Sequence, residues 1–178
     1  MIRIYTDASA TEGSRPSFAA VVTRNDEFVE CVAGLASDRM VTQCGRISIH
    51  EAMGVLVAIH LAEGPAIIVT DSQDVAKAFC ATKDGIDHAT LMLSEATDHD
   101  SKRSKIVREI MGMFAKVDTS NVSVEWWPRK SFDWMRLADK AARVARLMGE
   151  DPSVSADDKY YWLERVEALM QLNQVESV

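Results

Sequence analysis

Asp7 and Asp71 occupy the same local setting. Each ends an apolar run, follows a threonine and precedes a small residue, in Ile4-Tyr5-Thr6-Asp7-Ala8 and Ile68-Val69-Thr70-Asp71-Ser72. Open α/β sheets gather ligands outside the carboxyl ends of their strands. If the two strands are neighbours, the two carboxylates converge. Carboxylates held side by side repel, and a shared proton or a hard cation relieves the repulsion. A site built only of oxygens suits Mg²⁺ or Mn²⁺.

Two further acids belong to the same argument, and each acid also has a plain structural reading. Asp71, between a strand and a helix, can be an N-cap. Asp7 resists that reading, because no helical pattern follows it. Glu51, near the start of a helix, can simply favour the helix dipole. Asp139, within Leu137-Ala138-Asp139-Lys140-Ala141-Ala142, can be a solvated residue paired with Arg143 one turn later.

The elements that must position these residues follow from periodicity and breakers. Residues 2–6 read as a strand ending at Asp7, and the small, polar segment Ala8 to Ser17 as a turn. Phe18 to Thr23 and Phe28 to Ala33 read as strands on either side of an Asn25-Asp26 turn. Ile49, Ala52, Met53, Leu56, Val57 and His60 recur at helical spacing, and Gly64-Pro65 ends that helix. Ala66 to Thr70 is a continuous apolar run, as expected of a strand buried on both faces. A short helix is expected from Ser72 to Ala81, a helical stretch from Ile106 to Phe114, and a strand from Asn121 to Trp127. Pro128 to Ser131 reads as a loop and Leu137 to Met148 as a helix.

This order predicts an α/β fold. Its mixed five-stranded sheet combines a three-strand antiparallel meander with parallel strands, flanked by helices. Residues 1–148 form the expected domain. Residues 149–178 form an appendage in which Tyr160, Leu163, Val166 and Met170 mark an extra helix, about Asp157 to Gln174. That helix either covers the core or forms a dimer contact.

With 178 residues, 47% of them hydrophobic, the chain can bury a core without disulfides or a structural metal. Cys31, Cys44 and Cys80 form no C-x-x-C pair, so reduced thiols in a cytoplasmic protein are expected. The charged N-terminus lacks a signal-peptide pattern, and no run is long and apolar enough to span a membrane. A net charge of −7 argues against nonspecific coating of nucleic acid. It leaves room for an enzyme that grips a short stretch through a local basic patch.

Such a patch surrounds Asp139: Arg129, Lys130, Arg136, Lys140, Arg143 and Arg146. Arg136 and Arg143 lie at i−3 and i+4 from Asp139, on its own helix face, where they would place positive charge for a phosphate. Lys102, Arg103, Lys105 and Arg108 form a second run between the middle helices, which reads first as a solvated face. Of Trp126 and Trp127, strand alternation puts one in the core. Trp134, in the loop, either stacks on a sugar or base or anchors the loop. His50 and His60 read as helix-surface or boundary residues.

Taken together and in order, these motifs resemble the ribonuclease H family. Thr6-Asp7-Ala8-Ser9 is similar to the family's first-strand motif, and His50-Glu51-Ala52-Met53 leading into Ala58-Ile59-His60-Leu61-Ala62 to its first-helix motif. Thr70-Asp71-Ser72 matches the fourth-strand motif. Trp127-Pro128-Arg129 followed by Leu137 to Ala142 looks like the last strand, loop and helix. The resemblance spans about residues 1–147.

It implies that Asp7 bridges two Mg²⁺ or Mn²⁺ ions while Glu51, Asp71 and Asp139 complete their shells. Two-metal sites hold their ions about 3.5–4 Å apart. The implied reaction is hydrolysis of the RNA strand of an RNA–DNA hybrid, with Ser9, Arg129, Lys130, Trp134, Arg136 and Arg143 as substrate contacts.

The chain also departs from the family. Many bacterial members carry a histidine in the loop before the last helix, whereas Arg129 to Ala138 contains none. Ala8 stands where glycine is frequent, and Thr42-Gln43-Cys44-Gly45-Arg46 lacks the asparagines that contact hybrid backbones in many relatives. These changes touch substrate choice more than metal binding. A nuclease of the same fold acting on DNA or branched nucleic acid, and a non-catalytic binding module, are therefore the alternatives. The complete acidic quartet favours catalysis.

Overall fold

The computed structural model describes residues 1–10, 16–35, 47–85, 108–128 and 133–149. Five strands form one sheet: β1 (Ile2–Ser9), β2 (Ser17–Arg24), β3 (Glu27–Leu35), β4 (Ala66–Thr70) and β5 (Val122–Trp126). Helices α1 (Ile47–Leu61), α2 (Gln73–Asp84) and α4 (Asp133–Gly149) accompany them, with a helical stretch α3 at 108–114. The spatial order of the strands is β3-β2-β1-β4-β5. β1 to β3 are an antiparallel meander, while β4 runs parallel to both β1 and β5. This is the mixed sheet that the sequence predicts.

Local chemistry explains the joints. Asn25 and Asp26 join β2 to β3 with φ of 55° and 66°. A two-residue hairpin with positive φ at both positions twists in the sense the strands require, and Asn and Asp tolerate that geometry. Gly85, at φ 66°, closes α2 by donating its N–H to the carbonyls of Ala81 and Thr82.

Alternation along the strands splits the core in two. Ile4, Ala20, Val22, Ile68, Val122 and Val124 face a layer made by α1, α2 and α3, where Phe79 and Phe114 meet edge to face at 5.3 Å. Tyr5, Ala19, Val21, Cys31 and Val69 face α4, whose Met135, Ala138, Ala141 and Ala142 complete the second cluster. The small alanines of α4 let its backbone approach the sheet closely. Burial pushes the Cys31 thiol up to about 12, the behaviour of an inert core residue.

Several expectations need correction. Ala8, Ser9 and Ser17 do not form a turn: β1 continues to Ser9, with Ala8 opposite Phe18 and Ser9 opposite Ser17. Polar composition concealed backbone pairing there. α4 begins at Asp133 and not at Leu137, so Trp134 is helical and not in a loop, while Arg136 lies on the helix as expected. Met135 is in phase with Ala138 and Ala142, and an acidic residue suits a first turn. His50 is 1% exposed and not on the surface, because α1 packs against both the sheet and α2.

Arg129, Lys130, the run Lys102 to Lys105, Cys44 and the expected C-terminal helix lie outside the described residues. No described helix is long and apolar enough to cross a membrane.

Candidate active site

The β1–β4 register carries the central geometric fact. Thr6 lies opposite Thr70, the last pair of that ladder. Asp7 and Asp71 are the next residues on two adjacent parallel strands, so they emerge side by side at the carboxyl end. Asp7 alternates with Tyr5 onto the α4 face. Glu51 arrives from the opposite layer, one turn into α1. Carboxylate oxygens of Asp7, Glu51 and Asp71 lie within 4.8 Å of one another.

Close packing sets this approach. A Cβ built on Gly54, three residues after Glu51, would lie 3.5 Å from Thr6 Cβ and 3.7 Å from the Asp7 carbonyl. The helix that carries Glu51 therefore rests directly on the strand that carries Asp7. Asp7 and Glu51 are 0% and 6% exposed, whereas Asp71 is half-buried. Asp7 Oδ1 accepts from the Ala8 N–H at 2.7 Å.

The N-cap reading of Asp71 fails on inspection of the cap. Ser72 caps α2: its φ and ψ are −91° and 106°, and its hydroxyl accepts from the Val75 N–H at 3.4 Å. Asp71 is thus held between the end of a strand and a helix cap, with its carboxylate directed to Asp7 and Glu51. The dipole reading of Glu51 does not account for a buried carboxylate among two others.

Asp139 stands outside the group of three, yet it lines the same cleft of about 460 Å³. Glu51, Asp71, Ser9, Arg143 and Arg146 also line it. α4 is tied down here by the buried hydroxyl of Ser17, which hydrogen-bonds the Ala142 carbonyl and lies 3.3 Å from that of Ser9. Arg146, counted above only among the basic residues near the site, donates from Nε to Ser9 Oγ at 3.1 Å. Its position at i+7 from Asp139, in line with Arg143 at i+4, was the available signal.

The other expected contacts lie elsewhere. Arg136 is exposed at the start of α4, 3.3 Å from Asp133, and does not line the cleft. Trp134 stacks on Phe28 with ring centroids 6.1 Å apart, the anchoring alternative given above. Trp127 is the core member of its pair, 6.2 Å edge-on to Tyr5, while Trp126 is 42% exposed.

Three crowded carboxylates, two of them buried, repel one another and lose hydration. An all-oxygen set of this kind fits a hard divalent cation, whose charge would offset both costs. The facing guanidinium groups of Arg143 and Arg146 suit an anionic ligand such as a phosphodiester.

The fold is ribonuclease H-like. Ribonuclease H1 from the halophilic archaeon Halobacterium salinarum NRC-1 is similar, with a TM-score of 0.50 and 18% identity, covering 81% of this chain and 96% of that one. LC11-RNase H1, solved in complex with an RNA/DNA hybrid, gives a TM-score of 0.51 and 14% identity, covering 85% of this chain and 100% of that one. No family model and no curated protein matches the sequence.

Proposed function

We propose that this protein is a metal-dependent nuclease that hydrolyses the RNA strand of RNA–DNA hybrids. The observation that carries the reading is the convergence of Asp7, Glu51 and Asp71 within 4.8 Å, beside a cleft that Glu51 and Asp71 line together with Asp139, Arg143 and Arg146. A module that only bound a partner would gain nothing from burying mutually repelling carboxylates. The similar fold of LC11-RNase H1, solved with an RNA/DNA hybrid, supports the choice of substrate.

In this reading Asp7, Glu51 and Asp71 hold two divalent ions, Mg²⁺ or Mn²⁺, and Asp139 completes the set from the α4 side. Bound there, such ions supply an activated water and stabilise the leaving oxygen. Arg143 and Arg146 hold phosphates of the strand to be cut, and Ser9 orients Arg146 through its hydroxyl. Arg136, exposed at the start of α4, would meet the substrate beyond the cleft, and Arg129 and Lys130 are further phosphate contacts in this reading.

The test is cleavage of labelled RNA–DNA hybrid, double-stranded RNA, double-stranded DNA and single strands, side by side, in Mg²⁺ and in EDTA. Hybrid cleavage confined to the RNA strand and lost in EDTA is expected. Cleavage of DNA instead would keep the metal chemistry and replace the substrate. Full activity after removal of metal would remove the mechanism.

A further inference from the structure

The route by which β5 reaches the acidic cluster has a use that packing does not explain. Thr70 is the last residue of β4 in both of its ladders, opposite Thr6 on one side and Trp126 on the other. Asp71 therefore lies just past the hydrogen-bonded sheet, and its peptide must be fixed by other means. The Trp127 N–H donates to the Thr70 carbonyl at 3.0 Å. One peptide further on, the Trp126 indole Nε1 donates to the carbonyl of Asp71 itself, also at 3.0 Å. On the other side, Ser72 donates its N–H to Thr70 Oγ1 at 3.2 Å and caps α2.

Trp126 is a poor choice for burial alone. It sits at the end of an edge strand and remains 42% exposed, while its neighbour Trp127 supplies the core contact. What its side chain does is bridge from β5 to the backbone of an acidic cluster residue. A tryptophan indole has one donor and no acceptor. It can hold a carbonyl without competing with the carboxylates for a cation.

We infer that Trp126 is a positioning residue for the metal centre, its indole N–H fixing the Asp71 peptide so that the carboxylate is set toward Asp7 and Glu51 before an ion arrives. This rests on the metal-binding reading given above. Groups that orient metal ligands through hydrogen bonds change metal affinity when removed. Partners of the ligating side chain itself are worth about 10–100-fold, and a neutral hydrogen bond to the ligand's backbone should be worth less.

The experiment is thermal unfolding across a Mg²⁺ titration, without nucleic acid, for the wild type, Trp126→Phe and Trp126→Ala. Phe keeps most of the ring and removes the N–H, and Ala removes both. Both variants should fold, because the ring is substantially exposed. Both should need about three- to tenfold more Mg²⁺ for half of the stabilisation that saturating ion gives. A role limited to stacking on substrate would leave these titrations unchanged and appear only in KM. The inference is overturned if Phe titrates like the wild type, whether or not Ala does, since the ring and not the N–H would then matter. If the wild type shows no Mg²⁺-dependent stabilisation, the metal-binding reading fails and this inference with it. An unshifted Phe variant beside a responsive wild type overturns the inference alone.

Discussion

The two ends of the β1–β4 pair are built on opposite electrostatic plans. At the amino end, unlike charges meet at the surface: Arg3 contacts Asp26 at 2.7 Å and Arg24 contacts Glu63 at 3.6 Å, while the Met1 ammonium donates to the neutral Asn25 amide oxygen at 2.6 Å. Asp26 and Glu63 are 69% and 84% exposed, so each pair contributes about 0–1 kcal/mol. At the carboxyl end, like charges converge, two of them buried and the third half-buried. The same strands thus carry an inexpensive surface arrangement at one end and a destabilising one at the other. The difference supports the proposed site at the carboxyl end, since stability alone would not select that cluster.

The largest contrast between the ends should appear in nucleic-acid binding. Reversing Arg143 and Arg146 to Glu should weaken hybrid binding and lower the slope of log affinity against log salt by about two. Arg24→Glu, at the far end, should leave that slope unchanged. Equal effects at both ends would show that the substrate does not approach the acidic cleft selectively. A smaller effect distinguishes Ser72 from Asp71, its neighbour. Ser72→Ala should cost about 1 kcal/mol in urea unfolding, because it removes the α2 cap. A cost close to zero would reopen the capping role for Asp71.

The smallest effect concerns the packing under Glu51. An added methyl at Gly54 meets ordinary contacts at 3.5 Å and 3.7 Å. Gly54→Ala should therefore be neutral, or more stable by up to about 1 kcal/mol through helix propensity. Loss of stability in equilibrium unfolding would mean that α1 needs a closer approach to β1 than this geometry gives.

Much of this contrast is written in short-range sequence. Ala66 to Thr70 is bounded by Gly64-Pro65 and by Asp71-Ser72, and the strand occupies those five residues. The Asn25-Asp26 turn and the placing of Asp7 and Asp71 at strand ends were legible for the same reason, whereas the convergence of the two acids also needed β1 and β4 to be neighbours. The rest depends on long-range pairing. Ala8 and Ser9 look like loop residues until β2 pairs with them. Trp134 looks like a loop aromatic until Phe28, more than a hundred positions earlier, offers it a stacking surface. The Trp126 bridge to Asp71 depends on β5 pairing with β4, and no local pattern encodes it.

Asp71→Asn tests the central claim most directly, by thermal unfolding in EDTA and in Mg²⁺ alongside a hybrid-cleavage assay. Ser72 supplies the cap, so the substitution should not harm α2. Removing one of three crowded charges relieves repulsion, so the metal-free variant should melt at or above the wild-type temperature. Its stabilisation by Mg²⁺ should shrink, because that stabilisation reports binding to the folded state. Cleavage should fall by at least about a hundredfold, as loss of several kcal/mol of metal-dependent stabilisation requires. A variant that keeps wild-type cleavage and the full Mg²⁺ shift would contradict the assignment of this cluster as a catalytic metal centre.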